Sequence, residues 1–316
     1  MRLAVVGVGA VGRSVAELAG EYGHVVTALA DSSGAVVDAD GVDVPAALDA
    51  KDATGTVGDA DPGDALDAAY DVLVEATPTT LGDAEPGFGH VQAALERDRH
   101  VVLANKGPVA ERYDEVRALE RESDGTVLFE ATVGGAIPAL ATIDGLDPDH
   151  VTAARGVLNG TANFILTRMA AEGLAYDHVL QEAQDLGVAE ADPTFDVDGT
   201  DAALKCVILA NVLHDGGYTL ADASVEGIQD VPTSALDLAA EDGKTIRLIG
   251  EVGSDGSVHV GPRLVPEHGA LAVSGTQNIV QLETEHAGRL NVSGRGAGGP
   301  ETASAVLADV GRLPDR

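Results

Sequence analysis

The sequence predicts an α/β fold, in which a Rossmann-type parallel sheet is followed by a second, α+β domain. Through about the first 130 residues, short apolar runs alternate with helical stretches, the order typical of right-handed βαβ units. A glycine-rich turn directly follows the first apolar run. Later segments alternate in polarity and are separated by glycine and proline, as antiparallel strands are. We therefore predict a first domain over residues 1–135 and a second over residues 136–295.

The first strand, residues 2–6, ends in a glycine fingerprint that indicates a dinucleotide site. Gly7-Val-Gly9-Ala-Val-Gly12 separates this strand from a helix, and glycines there let the backbone approach a pyrophosphate at the helix N-terminus. A second strand, 24–29, ends near Asp31, nineteen residues after Gly12, where a carboxylate accepts hydrogen bonds from an adenosine ribose. The candidate cofactor-binding residues of this region are Gly7, Gly9, Ala10, Val11, Gly12 and Asp31.

The loop after the second strand favours NAD over NADP. Asp31-Ser-Ser-Gly34 offers no nearby arginine or lysine to neutralise a 2′-phosphate, so we expect none beside Asp31. The preference is mild, because concentrated cations in the surrounding solution would also screen a phosphate. Either cofactor is therefore compatible with the sequence.

The rest of the first domain predicts where ligands gather. Residues 34–70 are poorly periodic apart from a helix near 44–52. We expect further strands at 71–75, 100–103 and 127–129, and helices at 88–98 and 109–123. Ligands of parallel sheets bind beyond the carboxyl ends of the strands, where Gly7, Thr77 and Lys106 all fall. Lys106 has a simpler interpretation as a solvated loop residue, but the chain contains only four lysines.

The second domain is predicted to open with a strand at 151–158, followed by two helices that end near residues 171 and 186. Asn159-Gly160-Thr161 caps the first of these helices. The strands of its sheet are expected at 245–252 and 257–265 and within 278–294. Such a sheet allows pairing across a homodimer.

The stretch from Gln184 to Asn211 carries the strongest chemical signal. It begins with a loop rich in acids, and Asp198-Gly-Thr200 then starts a largely apolar helix. Asp201 and Lys205 lie four apart, on one helix face. Such a pair is usually a solvated surface ion pair. A lysine in an apolar helix beside several carboxylates instead suggests that the loop holds a substrate ammonium while the lysine moves a proton.

Composition excludes several classes of partner. There are 52 acidic and 19 basic residues, for a net charge of −33, so nucleic acid and anionic membranes would be repelled. The acids are spread along the chain, as on proteins that work in molar salt, and we expect a halophilic source. The single cysteine, Cys206, agrees with a reducing cytoplasm. We expect no membrane span and no signal peptide, and hence a cytoplasmic protein.

Several motifs together resemble the homoserine dehydrogenase family. They are ANK at 104–106, GVLNGTANFILTRM at 156–169, AEADP at 189–193, DVDGTDAALK at 196–205 and RGAGGPETA at 295–303. The resemblance covers essentially the whole chain. It implies reversible, NAD(P)-dependent interconversion of L-homoserine and L-aspartate 4-semialdehyde, a step in threonine, methionine and isoleucine biosynthesis.

The resemblance also implies roles for individual residues. Lys205 is expected to move the alcohol proton with its charge tuned by Asp201, and Lys106 is a second candidate near the nicotinamide and substrate. Oxidation of an alcohol needs such a proton acceptor beside the hydride acceptor. Glu190 is expected to bind the substrate ammonium. The residues expected to shape the substrate pocket are Asp196, Gly160 and Thr161.

Other implications depend on the resemblance alone. The segment EATVGGAIP at 130–138 implies a monovalent cation, Na⁺ or K⁺, held by the Glu130 carboxylate and backbone carbonyls of Val133, Gly135 and Ile137. Ala136 stands where the family has glycine, and Val188 where an aromatic is common. Residues 296–316 are expected to return to the first domain, with Gly296 touching cofactor. The chain ends after this helix, which implies a short form without a C-terminal regulatory domain.

Two alternatives remain open from the sequence. One is another two-domain dehydrogenase, acting on aspartate or a related semialdehyde, which substrate assays would distinguish. The other is a nucleotide-binding redox sensor without catalysis. A sensor has no need of a proton-transferring lysine, so the set of Glu190, Asp201 and Lys205 favours an enzyme.

Overall fold

The computed structural model describes residues 1–314, which divide into two compact units. The first contains Met1–Ala136 and the segment that starts at Ala297; the second is Ile137–Gly296. Each unit has its own six-stranded sheet. The α/β class predicted from the sequence is confirmed.

The first sheet has the strand order of dinucleotide-binding folds. Its order is β3-β2-β1-β4-β5-β6, and only β3 runs antiparallel to its neighbour. β1 lies at the centre because Leu3 to Val6 are apolar and buried, which suits a strand covered on both faces. The strands are β1 (Arg2–Val6), β2 (Val25–Ala30), β3 (Ala35–Val37), β4 (Val72–Glu75), β5 (His100–Leu103) and β6 (Val127–Leu128).

Seven helices connect these strands and lead out of β6. Their bounds are α1 (Ala10–Leu18), α2 (Val44–Thr54), α3 (Asp64–Asp67), α4 (Gly87–Leu95), α5 (Gly107–Glu111), α6 (Tyr113–Arg121) and α7 (Ala131–Gly134). A 3₁₀ turn, Ala19–Tyr22, extends α1. Leu3 and Val5 of β1 share a buried cluster with Val15 of α1, which fixes that helix against the central strand.

The second sheet is antiparallel except at one edge, where β8 runs parallel to β10. Its order is β12-β11-β7-β9-β10-β8. The strands are β7 (Val151–Val157), β8 (Ala223–Val225), β9 (Lys244–Val252), β10 (Val258–Pro266), β11 (Gln277–Thr284) and β12 (Arg289–Arg295). The helices are α8 (Ala139–Leu146), α9 (Gly160–Glu172), α10 (Tyr176–Asp185), α11 (Thr194–Val197), α12 (Thr200–Leu213) and α13 (Thr233–Glu241).

Helix α12 packs against β7, β9 and β10. It approaches β9 closely at Gly250, where an added Cβ would lie 2.4 Å from the Cys206 sulfur. The absence of a side chain at Gly250 therefore lets the helix lie directly on the sheet. The last helix, α14 (Gly299–Arg312), belongs to the first unit and packs beside α1.

One local prediction was wrong. The helix predicted over 109–123 is two helices, because Arg112 leaves the helical conformation at φ −133° and ψ 33°. Its guanidinium instead lies over the Phe88 ring, 3.4 Å from the centroid, and pairs with Glu115. The poorly periodic segment 34–70 also contains β3, which was not predicted because a strand of three residues is too short to show periodicity.

None of the helices within residues 1–314 combines the length and the apolar character that crossing a bilayer requires.

Candidate active site

A cavity of about 900 Å³ opens in the first unit at the carboxyl end of its sheet. Its volume is in the range of ligand sites. Six of the predicted cofactor residues line it, namely Gly7, Gly9, Ala10, Val11, Asp31 and Thr77. Two others, Gly12 and Lys106, are absent from its lining among the described residues. Gly296 belongs to the other unit.

The glycine turn fits a dinucleotide pyrophosphate. Gly7 has φ +96°, and a Cβ there would lie 2.4 Å from the Ala76 carbonyl carbon. A Cβ on Gly12 would lie 1.8 Å from the Gly7 oxygen, so Gly12 serves packing between helix and strand. A Cβ on Gly9 would meet nothing within 4 Å. Because Gly9 lines the cavity and no side chain caps α1, a phosphate can approach the N–H groups of the helix start.

Asp31 is surrounded by donors at the part of the cavity where the sequence predicts the ribose. Its Oδ1 accepts from the N–H groups of Ser33 (2.7 Å) and Gly34 (3.0 Å). Its Oδ2 accepts from the Val57 N–H at 3.0 Å and from Lys51 Nζ at 2.8 Å. Burial opposes ionisation of Asp31, but the bonds from Lys51, Ser33 and Gly34 outweigh it, and the pKa of the carboxyl lies below its ordinary value. Asp31 is therefore an anion at neutral pH.

Lys51 lies beside Asp31, so the prediction that no lysine lies near this acid was wrong. Lys51 lies in the last turns of α2, which brings its ammonium into the cavity wall. This cation comes from α2, twenty residues after Asp31, and not from the loop that directly follows the acid. Asp31 is thus one member of an ion pair with Lys51 and not a lone carboxylate.

A buried carboxylate at the end of β4 was missed by the sequence reasoning. Glu75 is 0% exposed. It accepts from the Thr77 N–H (3.0 Å), the Thr77 hydroxyl, Asn105 Nδ2 (3.3 Å) and His90 Nδ1 (2.6 Å). Thr77 and His90 line the cavity. The network therefore fixes part of the cavity wall and ties it to Asn105 of the ANK motif. The sequence did contain a signal for this network, namely an acid, Glu75, at the carboxyl end of an otherwise apolar strand.

Lys106 lies at the start of α5 and is half-buried. Its N–H donates to the Thr79 hydroxyl at 3.3 Å, which holds the backbone of the ANK motif against the loop that follows β4. The carboxyl ends of β4 and β5 are adjacent, because Glu75 and Leu103 pair in register. Lys106 therefore belongs to the ligand edge of the sheet.

In the second unit, Lys205 and Asp201 form a buried pair rather than a surface pair. Their exposed fractions are 6% and 7%. Lys205 Nζ donates to Asp201 Oδ2 at 2.7 Å and to the main-chain carbonyl of Leu158 at 2.6 Å. An ammonium has three N–H donors. These two bonds hold the amine while leaving one donor for another acceptor.

Asn159 links the pair to a second acid. Its Nδ2 donates to Asp196 Oδ1 at 2.7 Å and to Asp201 Oδ2 at 2.9 Å. Its Oδ1 accepts from the Ala162 N–H at 2.8 Å and so caps α9. The sequence predicted the cap only. The bridging role was not predicted, because Asp196 and Asp201 lie about forty residues after Asn159 in the sequence.

The remaining predicted substrate residues differ in how they are connected to this cluster. Thr161 donates from its hydroxyl to the Val188 carbonyl at 3.1 Å, which joins α9 to the acidic loop. Glu190 is exposed, and its main-chain carbonyl accepts from Gln184 at 3.1 Å. The structure thus brings Asp196, Asp201 and Lys205 together, whereas no described hydrogen bond joins the Glu190 carboxylate to them.

The predicted cation residues are buried but belong to both units. Glu130, Val133 and Gly135 lie in the first unit and Ile137 in the second. The Glu130 N–H donates to Asp309 at 2.8 Å. Burial, with the charge of Glu130, raises the pKa of Asp309 to about 7 despite that bond and the nearby Arg312. The predicted oxygen ligands are of the type that a hard cation takes, but the Glu130 carboxylate also has the Arg312 guanidinium 3.6 Å away.

These features define a class of protein. A parallel sheet of dinucleotide-binding order, a glycine turn open to a phosphate and a buried lysine held by carboxylate and carbonyl are the parts of an NAD(P)-dependent oxidoreductase. Comparisons with known proteins agree. The family model described as homoserine dehydrogenase matches residues 138–310. The chain belongs to the homoserine dehydrogenase family.

A second family model, described as glutamate/leucine/phenylalanine/valine dehydrogenase, matches residues 1–181. This match contains the whole N-terminal part of the first unit. Dehydrogenases of unrelated substrates share the nucleotide-binding sheet, so we attribute this match to the fold of that unit.

Individual relatives support the family over the whole chain. Homoserine dehydrogenase of Methanocaldococcus jannaschii is 41% identical, over 98% of this chain and 97% of that protein. An NAD(+)-dependent homoserine dehydrogenase of Pseudomonas canavaninivorans is 40% identical over 77% of this chain and 71% of that protein. An Archaeoglobus fulgidus structure assigned as a homoserine dehydrogenase has a TM-score of 0.91 at 40% identity and covers 98% of both chains. A hyperthermophilic archaeal homoserine dehydrogenase in complex with NADPH has a TM-score of 0.85 at 28% identity, covering 99% of this chain and 98% of that one.

Proposed function

We propose that this chain catalyses the reversible, NAD(P)-dependent oxidation of L-homoserine to L-aspartate 4-semialdehyde, the step the sequence predicts in threonine, methionine and isoleucine biosynthesis. The observation that carries the proposal is the buried Lys205 amine, which is held by Asp201 and the Leu158 carbonyl. The same chemistry is named in the relatives that are about 40% identical.

Lys205 exchanges a proton with the substrate oxygen. Two of its three donors are occupied by Asp201 and Leu158, which leaves the third for a substrate oxygen. In the reductive direction the Lys205 ammonium donates this proton to the carbonyl oxygen and becomes a neutral amine. In the oxidative direction the neutral amine takes the alcohol proton and becomes an ammonium. When bound, the nicotinamide cofactor supplies or accepts the hydride. Asp201 and the Leu158 carbonyl keep the amine in place throughout.

The acidic groups near Lys205 position the substrate. Asn159 holds Asp196 beside Asp201, so both carboxylates share one donor and keep a fixed spacing. Asp196 and the Gly160-Thr161 start of α9 shape the pocket. Glu190, on the loop that Thr161 anchors at Val188, receives the substrate ammonium. Its exposure in this structure leaves the carboxylate accessible to such a ligand. Lys106 supplies a second cation at the ligand edge of the first unit.

The cofactor preference depends on Asp31 and Lys51. Both Asp31 oxygens already accept two bonds each, so a ribose hydroxyl competes with Lys51 for Oδ2. A 2′-phosphate would instead draw Lys51 to itself. We therefore propose that the enzyme uses NAD, as the acid at this position favours, and that Lys51 also allows NADP.

Three further features belong to the proposal. A Na⁺ or K⁺ ion is held by Glu130 and the carbonyls named above. The chain forms a homodimer through the sheet of the second unit, in which β12 is an outer strand. Its net charge of −33 reflects a halophilic, cytoplasmic setting.

The test compares Lys205→Ala with Lys244→Ala. Lys244 pairs with Asp242 on the surface, so its loss controls for removal of one positive charge. Lys205→Ala should lower turnover of homoserine by about 10²–10⁴-fold while NADH binding, measured by fluorescence titration, stays within about twofold. Lys244→Ala should retain turnover. Lys205→Ala with more than half of wild-type turnover at saturating substrate would refute the assignment, and wild-type turnover of aspartate but not homoserine would identify the alternative dehydrogenase.

A further inference from the structure

A cluster of two imidazoles and one carboxylate lies in the second unit, outside every group used above. It contains His150, Glu285 and His286, all exposed. His150 closes the 3₁₀ turn Pro148–His150 that leads into β7, whereas Glu285 and His286 occupy the turn between β11 and β12. The three residues therefore come from chain segments 135 residues apart.

The backbone that carries the cluster is fixed by main-chain hydrogen bonds. The Glu285 N–H donates to the His150 carbonyl at 3.0 Å, which locks the two segments together at the cluster itself. Thr284 N–H donates to the Gly288 carbonyl at 3.1 Å, and the Thr284 hydroxyl donates to the same oxygen at 2.7 Å. Gly288 has φ +72°, which suits glycine in a tight turn. The side chains thus start from defined positions.

Two of the three ligand-atom distances are close to those of a tetrahedral metal site. His150 Nδ1 lies 3.0 Å from Glu285 Oε2, and His286 Nε2 lies 3.6 Å from the same oxygen. One ligand atom from each residue can be chosen so that all lie within 4.8 Å of one another. With zinc–nitrogen and zinc–oxygen bonds of about 2.0–2.2 Å, ligands at tetrahedral angles are separated by about 3.3–3.6 Å. The distance from His286 to Glu285 lies at the upper end of that range, and the distance from His150 to Glu285 lies slightly below it.

We propose that His150, Glu285 and His286 form a binding site for a divalent transition-metal ion of the zinc type. Imidazole ligands select Zn²⁺, Co²⁺ or Ni²⁺ over Mg²⁺, Ca²⁺ and the alkali ions, which take oxygen. Three protein ligands leave one tetrahedral position for water. The site is independent of the proposed oxidoreductase chemistry and of the Na⁺ or K⁺ ion proposed above.

The expected consequence of binding is a cross-link between the start of β7 and the β11–β12 turn. The ligand set exists only when these strands are paired, so the ion binds the folded chain in preference to the unfolded chain. It therefore raises the melting temperature of the protein without touching Lys205 or the nucleotide cavity.

The experiment uses untagged, metal-free protein and titrates it with ZnCl₂ by calorimetry and with CoCl₂ by visible absorption. The variants are His150→Gln, His286→Gln and Glu285→Gln. His178→Gln is the control, because His178 is an exposed histidine of α10 outside the cluster. We expect one Zn²⁺ per chain, a melting temperature several degrees higher with Zn²⁺, and the intense visible bands of tetrahedral Co²⁺. Each ligand variant should weaken binding by about 100-fold, whereas His178→Gln should bind as the wild type does.

Three results would overturn the proposal. They are no saturable Zn²⁺ binding, binding unchanged in both His150→Gln and His286→Gln, and binding lost equally in His178→Gln. The Co²⁺ spectrum of the unaltered protein keeps the test valid if a variant fails to fold, since only the weak bands of octahedral Co²⁺ would also contradict the site.

Discussion

Lys51 Nζ lies 2.8 Å from the Asp31 carboxylate, so the acid that directly follows β2 faces a cation from α2. A negative charge at this position favours the unphosphorylated ribose, whereas a positive charge favours the 2′-phosphate. We therefore expect the two residues to act in opposite directions on cofactor choice. Because the bonds from Lys51, Ser33 and Gly34 outweigh burial, the pKa of Asp31 lies below its ordinary value and the carboxyl is charged at neutral pH.

Lys51→Met should shift cofactor preference toward NADH. Removing the ammonium removes the partner of a 2′-phosphate and leaves Asp31 open to a ribose hydroxyl. Charge-assisted bonds of about 1.5–3 kcal/mol correspond to a roughly 10–100-fold fall in kcat/KM for NADPH relative to NADH. Lys244→Met controls for the loss of charge. A ratio that is unchanged in Lys51→Met would exclude Lys51 from cofactor recognition.

Asp31→Ala should have the opposite effect and weaken NAD(H) more than NADP(H), because only the unphosphorylated ribose donates to a carboxylate there. The measurement is the dissociation constant of each reduced cofactor by fluorescence. If the unaltered enzyme already used NADPH tenfold more efficiently than NADH, the proposed preference for NAD would be wrong.

Asn159→Asp should impair catalysis while keeping the helix cap. Aspartate replaces the cap acceptor of asparagine, so α9 is retained. The same change removes the donor shared by Asp196 and Asp201 and adds a third carboxylate beside them. We expect kcat/KM for homoserine to fall by at least about tenfold, with a melting temperature within a few degrees of the wild type. Wild-type kcat/KM in Asn159→Asp would show that the bridge has no catalytic importance.

Glu190→Gln should act mainly on substrate affinity. The amide keeps the shape of the side chain and removes the charge that pairs with an ammonium. KM for homoserine should rise about tenfold or more with little change in kcat. Glu267→Gln, at another exposed acid, is the control. An unchanged KM would transfer the role to Asp196 or Asp192, although Asp192 already accepts the Thr194 N–H.

Salt should raise stability and activity together. A net charge of −33 produces self-repulsion in dilute buffer, and molar KCl both screens it and strengthens apolar burial. We expect the melting temperature and specific activity to rise from about 0.1 M to several molar KCl. Parallel titrations with NaCl separate screening from a specific cation. A melting temperature that stays flat or falls with salt would mean that the acidic surface has another purpose.

Local sequence patterns were sufficient for most of the fold. β1 and β5 have the predicted bounds, since each is built on a short apolar run that is buried. Contacts between segments that are distant in the sequence could not be predicted from local patterns. Neither the approach of Lys51 to Asp31 nor the bridge from Asn159 to Asp196 leaves a periodic signal. The pair Asp201 and Lys205 was predicted from spacing, but its burial depends on how α12 packs on the sheet.

The close packing of α12 on β9 also places a chemical probe of helix opening inside the second unit. Cys206, the only thiol in the sequence, follows Lys205 directly and is 1% exposed. Burial raises the pKa of this thiol to about 12, so it reacts with a disulfide reagent only when the helix lifts from Gly250 and water enters. The labelling rate of the native protein thus reports the opening equilibrium of the segment that carries Lys205. Ligands that bind the closed form should slow the labelling of Cys206 in proportion to the fraction of protein they occupy. The labelling rate would then measure ligand binding without an activity assay.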